Sequence, residues 1–283
     1  MRLRLDLAYD GTAFAGWGIQ PGLRTVQGVV EEAIATILRL AEPARLIVAG
    51  RTDAGVHATG QVAHVDLPTL ASFVLSDGSF DREEFENRLA GILKRDPDVA
   101  LKRASVAPDG FDARFSAIAR RYEYRIQDDA RAYNPLERYR SVWTPKPLDV
   151  DLMNNAAQSF LGLRDFGAFC RPRPGATTIR ELQQFEWHRE PDGMVVCVIQ
   201  ADAFCHSMVR SLVGACVVAG NGKVAQPDLD AVRDGAERTA LFKVMAPHGL
   251  NLVEVIYPPD AELGARAELT RTRRDLLDDD GIA

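Results

Sequence analysis

Short runs that alternate apolar and polar residues are interspersed along the chain with longer runs of helical spacing. Leu3–Tyr9, Arg45–Ala49 and Gly60–Asp66 alternate with period two and predict strands. Between the first two, Val26, Val29, Val30, Ala33, Ile34, Ile37 and Leu38 recur at i, i+3 and i+4, so Val26–Leu40 predicts a helix with one buried face. Asp81–Lys94 reads as a second helix and Val99–Val106 as a further strand. The second half has the same texture. Arg120–Gln127 alternates as a strand, Asp151–Leu161 is helical, and Ile179–His188 with Met194–Ala201 predicts a hairpin about Glu190-Pro191-Asp192-Gly193. His206–Val218 predicts a helix with Met208, Val209, Leu212, Val213, Cys216 and Val217 on its apolar face. A last strand, Asn251–Tyr257, is stopped by Pro258-Pro259. Beyond it the chain turns polar and closes on Asp278-Asp279-Asp280, the composition of a frayed helix or a disordered tail. Hairpins among helices imply an α+β fold with two related halves, 1–110 and 111–258, followed by an acidic tail, 259–283.

Composition narrows the class. Of 283 residues, 46% are hydrophobic and 26% charged, the balance of a globular protein. No apolar run approaches the roughly 18 to 20 residues that span a bilayer, so no membrane association is expected. Met1-Arg2-Leu3-Arg4-Leu5-Asp6 alternates as a strand does and lacks the apolar core of a signal peptide, which predicts a cytoplasmic protein. Cys170, Cys197, Cys205 and Cys216 are widely spaced without a Cys-x-x-Cys pair, and are expected to be reduced thiols, mostly in the core. His57 and His64 have no third ligand at a sensible spacing, so no metal is expected. The net charge of −6 argues at first against nucleic acid. From Arg114 to Arg180, however, twelve Lys and Arg face seven Asp and Glu, and an acidic protein with a basic middle can present one basic face to RNA.

The stretch richest in chemistry is Gly50-Arg51-Thr52-Asp53-Ala54-Gly55-Val56-His57-Ala58-Thr59-Gly60-Gln61. It falls between two predicted strands, carries three glycines that permit unusual backbone angles or close approach, and sets an arginine two residues before a carboxylate. On the residues alone two readings stand. Asp53 is either a partly buried reactive carboxylate or a β-turn residue capping its own backbone, with Arg51 solvated.

Gly50–His57 resembles the active-site motif of the TruA-type tRNA pseudouridine synthases, and other blocks resemble that family in the same order. These are Ala8-Tyr9-Asp10-Gly11-Thr12, Phe14-Ala15-Gly16-Trp17 and Thr25-Val26-Gln27, then Phe111-Asp112-Ala113-Arg114-Phe115-Ser116-Ala117 with Arg120-Arg121-Tyr122-Glu123-Tyr124. Phe160-Leu161-Gly162, Asp165-Phe166, Ala168-Phe169-Cys170, Ala203-Phe204-Cys205-His206-Ser207-Met208-Val209-Arg210 and Ala246-Pro247-His248-Gly249-Leu250 follow. The blocks span residues 3 to 257.

The resemblance implies a pseudouridine synthase-like fold, two pseudosymmetric halves around a mixed, largely antiparallel sheet with a central RNA-binding cleft. It implies a homodimer acting on tRNA at positions 38, 39 and/or 40 of the anticodon stem-loop, without a cofactor. Asp53 would be catalytic, as a nucleophile at the sugar or base or as an aid to sugar deprotonation. Tyr122 would stack on the target base, Arg51 would enter the stack as the base flips, Arg210 would partner the carboxylate, and Leu250 would be an apolar wall. The absence of a Rossmann fingerprint and a P-loop fits an isomerisation. The chain departs from the family at Asn251, where an aromatic is common, and matches loosely at Arg138–Trp143, Asp77–Asp81 and Arg171–Gly175. Two other classes compete: an RNA-binding protein of the same fold without activity, and a glycosidase-like enzyme, which ordinarily needs a second carboxylate.

Overall fold

The computed structural model describes residues 1–67, 73–171 and 177–271. The chain is α+β and divides into two compact units, one formed by residues 1–118 and 252–271, the other by residues 119–251 within the described range.

In the first unit, β1 (Arg2–Tyr9) lies between β3 (His57–Asp66) and β4 (Val99–Val106), antiparallel to both. Its period-two pattern is the cause. Leu3, Leu5, Leu7 and Tyr9 are buried on one face, while the residues between them are half-buried. β2 (Leu46–Val48) pairs with β3, and β10 (Leu250–Ile256) lies on the other side of β3 from β1. There the two backbones nearly touch: a Cβ on Gly60 would sit 2.1 Å from the Val253 carbonyl oxygen. α1 (Val26–Leu38) buries Val26, Val30, Ala33 and Ile34 and packs on α2 (Arg82–Leu93), which covers β4. Thr25 and Asp81 cap these helices through their side chains, and α1 ends where Arg39 turns left-handed at φ 52°. After Pro258-Pro259 the chain continues into α6 (Leu263–Arg271), whose Leu263 carbonyl accepts from Ser116 Oγ at 3.0 Å.

In the second unit, β5 (Ala119–Gln127) pairs antiparallel with β9 (Val195–Ala201), which pairs with β8 (Ile179–Arg189), which pairs with β7 (Gly162–Asp165). The two-residue β6 (Val142–Trp143) runs parallel to β5, so the pairing is mixed. α3 (Val150–Ser159) packs on β8 and on α4 (Met208–Gly220), and α5 (Gln226–Gly235) packs on α3.

Two expectations are corrected. The single apolar stripe expected on His206–Val218 is in fact a helix buried on almost every side. Backbone packs directly onto it, since a Cβ on Gly214 would lie 2.1 Å from the Lys243 carbonyl oxygen. Cys170 and Cys205, expected as thiols, are bonded to each other, and only Cys197 and Cys216 among the described cysteines are free and buried. The partners are 35 residues apart, and the fold brings their α-carbons to 5.7 Å where Arg171 N–H donates to the His206 carbonyl. The Asp278-Asp279-Asp280 tail and most of the Arg171–Gly175 loop lie outside the described residues.

Candidate active site

Asp53 and Arg51 lie on the turn that leads into β3, in the first unit. The Val56 amide donates to the Asp53 carbonyl at 3.1 Å, and Gly55, third in this four-residue turn, has φ 79°. That conformation is a type II turn, and it requires glycine at the third position. Asp53 is half-buried and Arg51 exposed.

The turn is held from two sides. Below it, Tyr9 Oη and Thr52 Oγ1 share a 2.8 Å hydrogen bond. Gln61 Nε2 donates to Tyr9 Oη at 3.1 Å and to the Gly50 carbonyl at 2.9 Å. Tyr9, Thr52 and Gln61 are all buried, so this network is rigid and shielded from competing water. Beside it runs the segment 10–18. Trp17 N–H donates to the Thr52 carbonyl at 3.1 Å, and Gly11 N–H donates to His57 Nδ1 at 3.0 Å. No side chain fits between these layers. A Cβ on Gly11 would lie 2.0 Å from the Val56 carbonyl oxygen, and Gly16, at φ 102°, rests against the backbone of residues 52–54. Both imidazoles of the motif region are in structural use: His64 Nδ1 accepts from Ala113 N–H at 2.9 Å. Among the described residues no group of three His, Cys, Asp or Glu is placed to hold a metal ion.

Tyr122, Arg210 and Leu250 lie in the second unit. Tyr122 sits on β5 opposite Ile199, is 8% exposed, and meets the Phe204 ring edge-on with centroids 5.2 Å apart. Arg210 is in the first turn of α4. Its guanidinium donates to the Met245 carbonyl and to Ser207 Oγ, both at 3.2 Å, while Met245 N–H donates back to the Arg210 carbonyl. Ser207, just before the helix, holds a left-handed φ of 64°, a conformation that costs a non-glycine residue free energy. Leu250 is buried and directly follows Gly249, whose missing side chain admits the Tyr124 ring. Tyr124 Oη donates to the Ala246 carbonyl at 2.8 Å, and burial pushes this phenol well above its ordinary pKa. The second unit thus gathers Arg210, Tyr124 and the 245–250 segment, with Tyr122 two residues along the same strand face as Tyr124.

The motif blocks had pointed to Tyr9, Gly11, Gly16 and Trp17 without giving them a task. The structure gives them one, as the brace for the Asp53 turn. Thr52 and Gln61 belong to the same brace, and the readable signal for it was an aromatic at the end of a strand followed by closely spaced glycines.

Residues 156–258 match the family model described as tRNA pseudouridine synthase. A protein of Leifsonia xyli named tRNA pseudouridine synthase A is 56% identical over 97% of this chain and 98% of its own length. Proteins of the same name from Frankia casuarinae and Mycobacterium leprae are 52% and 48% identical, each over 97% of this chain and 96% of their own length. Identity of that level over nearly the whole of both chains is decisive: this chain belongs to the tRNA pseudouridine synthase A family.

Proposed function

We propose that the protein converts uridine to pseudouridine in tRNA at positions 38, 39 and/or 40 of the anticodon stem-loop, with Asp53 as the essential carboxylate. The observation that carries this reading is the placement of Asp53 on a type II turn braced by Tyr9, Thr52, Gln61 and Trp17, in a chain of this family. A carboxylate fixed before the substrate arrives needs no reorganisation when charge develops on the sugar or base.

The reaction cleaves the N1–C1′ glycosidic bond, turns the uracil, joins C5 to C1′, and releases the C5 hydrogen as a proton while N1 gains one. Atoms and electrons balance within the nucleoside, so neither an oxidant nor a nucleotide triphosphate is called for. In this reading Tyr122 stacks on the target base and stands ready to take the C5 proton. Arg210 partners the carboxylate, Leu250 is an apolar wall, and Arg51 occupies the space left by the flipped base. Flipping costs a few kcal/mol, least where the uridine is in a loop or at a stem junction. The enzyme would act in the cytoplasm as a homodimer; sedimentation of the free and tRNA-bound protein tests the dimer.

The deciding experiment is tritium release from tRNA transcripts labelled at uridine C5, with single-uridine variants at positions 38, 39 and 40. Wild type is expected to release tritium without added cofactor, and Asp53→Asn to release none while still binding tRNA. Release by Asp53→Asn at the wild-type rate would remove Asp53 from the chemistry.

A further inference from the structure

The segment that braces the Asp53 turn continues into a feature that catalysis as described does not use. Gln20 and Leu23 close a tight turn, with Leu23 N–H donating to the Gln20 carbonyl at 3.1 Å. Pro21 and Gly22 fill its centre, and Gly22 has φ 72°, so this is a second type II turn. Its flanks carry two bare aliphatic side chains, Ile19 at 59% and Leu23 at 55% exposure. Loop tips are ordinarily polar, and neither residue supports the core.

The turn is nonetheless firmly held. Ala15 N–H donates to the Arg24 carbonyl at 2.9 Å, and Gln20 Nε2 donates to the Ala15 carbonyl at 2.7 Å. The Arg24 guanidinium lies over the Phe14 ring at 4.1 Å and is anchored to Asp96 and Asp98 by three hydrogen bonds of 2.7 Å. Gly18, next to Ile19, packs toward the Arg51 side chain, with 3.9 Å between its Cβ position and Arg51 Cδ. Trp17 is bonded to the Asp53 turn itself. Ile19 therefore follows directly on the residue that packs toward Arg51, an exposed arginine on the reactive loop, and the Gln20–Leu23 turn holds Leu23 on the other flank of the same segment.

We infer that Ile19 and Leu23 form an apolar wedge that packs against the bases flanking the target uridine and keeps the helical stack open while that uridine is out. This inference rests on the tRNA reading above and adds a specificity-determining element to it. Aliphatic side chains inserted at base steps are a recurrent means of unstacking nucleic acid, and the neighbouring Arg51 is then placed to fill the space the base leaves. Two side chains fall far short of the ~800 Å² that each partner buries in a stable protein–protein interface, so a base is the better-fitting occupant.

The test uses the full chain carrying Ile19→Ser and Leu23→Ser. Both positions are exposed, so the melting temperature is expected to stay at the wild-type value. On intact tRNA the single-turnover rate of C5 tritium release should fall about tenfold or more, because flipping costs a few kcal/mol and each 1.4 kcal/mol is a factor of ten. On an RNA whose target uridine is already bulged, the same variant should recover to within about twofold of wild type, since little stacking remains to be opened. The companion Ile19→Met/Leu23→Met should retain the rate on intact tRNA. In the Asp53→Asn background, 2-aminopurine beside the target should brighten with the wedge present and stay dark without it. An unchanged rate on intact tRNA, or an equal loss on both substrates, would overturn the wedge. Absence of tritium release by wild type would overturn the underlying function instead, and is seen before any variant is made.

Discussion

His64 shows how one buried side chain sets a pH limit on stability. It is 2% exposed, its Nδ1 accepts the Ala113 amide, and its ring meets Phe111 at an edge. Burial, reinforced by the nearby Arg2, holds its pKa below the ordinary value of 6.5. The unfolded chain then binds a proton at this position before the folded one does, so stability rises with pH in that interval. Stability contributed by the neutral ring is complete above about pH 6.5 and is lost as the pH falls toward the folded-state value. His64→Asn keeps an acceptor near Nδ1 and removes the titration. Melting temperatures followed from pH 7.5 down to pH 5 should fall more steeply for wild type than for this variant. Parallel curves would show that His64 does not titrate differently on unfolding.

At the scale of elements, α3 protects a strand edge. β7 covers β8 only as far as Leu182, and beyond it the backbone of Trp187 is met by a side chain. Asn154 accepts from Trp187 N–H at 2.8 Å and donates to its carbonyl at 2.9 Å, while Gln158 donates to the Phe185 carbonyl at 3.2 Å. An amide side chain thus imitates the missing strand, which blunts an edge otherwise open to pairing with another chain. Asn154→Leu leaves two strand groups without that partner. It should lower unfolding free energy in urea by about 1 to 3 kcal/mol, whereas no change would mean that water replaces the amide. The elements also show what the sequence made legible. β1, β4, β5, β8 and β9 were placed to within a residue or two, and in β1, β5 and β8 the reason is an alternation of buried and wetter residues. α5 escaped because Leu229 is its only buried residue, and β6 and β7 because two and four residues carry no measurable period. β3 begins at His57, three residues before the expected Gly60, since Ala58 already pairs with Tyr9. In the candidate site the Asp53 turn was legible from its glycines and its resemblance. Its brace was not, because Tyr9 meets Thr52 and Gln61 across sequence separations of 43 and 52 that no local pattern encodes.

For the whole molecule, charge is the property that sequence and structure weigh differently. The chain carries −6, and its Arg114–Arg180 stretch an excess of cations, but not all of those cations face solvent. Arg120 is buried with its guanidinium on the Asp202 carbonyl, Arg164 donates to the Leu161 carbonyl, and Arg180 to the Ile179 carbonyl. Each of these arginines serves the fold, and counting it toward an RNA-binding face overstates that face. Arg131, Arg138, Arg140 and Lys146 are exposed in one continuous stretch of the second unit. Ion pairs with Asp129 and Glu137 partly offset Arg131 and Arg140, but exposed pairs of this kind are worth at most about 1 kcal/mol and open readily to a phosphate. If these four cations meet the tRNA backbone, the logarithm of affinity should fall with the logarithm of salt concentration at a slope of about −3 to −4. Filter binding of the Asp53→Asn protein to tRNA between low and moderate salt gives that slope without turnover. Arg138→Glu with Arg140→Glu should flatten it by about two and weaken binding by similar factors across tRNA sequences, because phosphate contacts carry no sequence information. An unchanged slope in the double variant would place the phosphate contacts elsewhere on the molecule. A slope near zero in the parent would mean that shape and stacking, the kind of contact inferred for Ile19 and Leu23, supply most of the affinity of this acidic protein for its RNA.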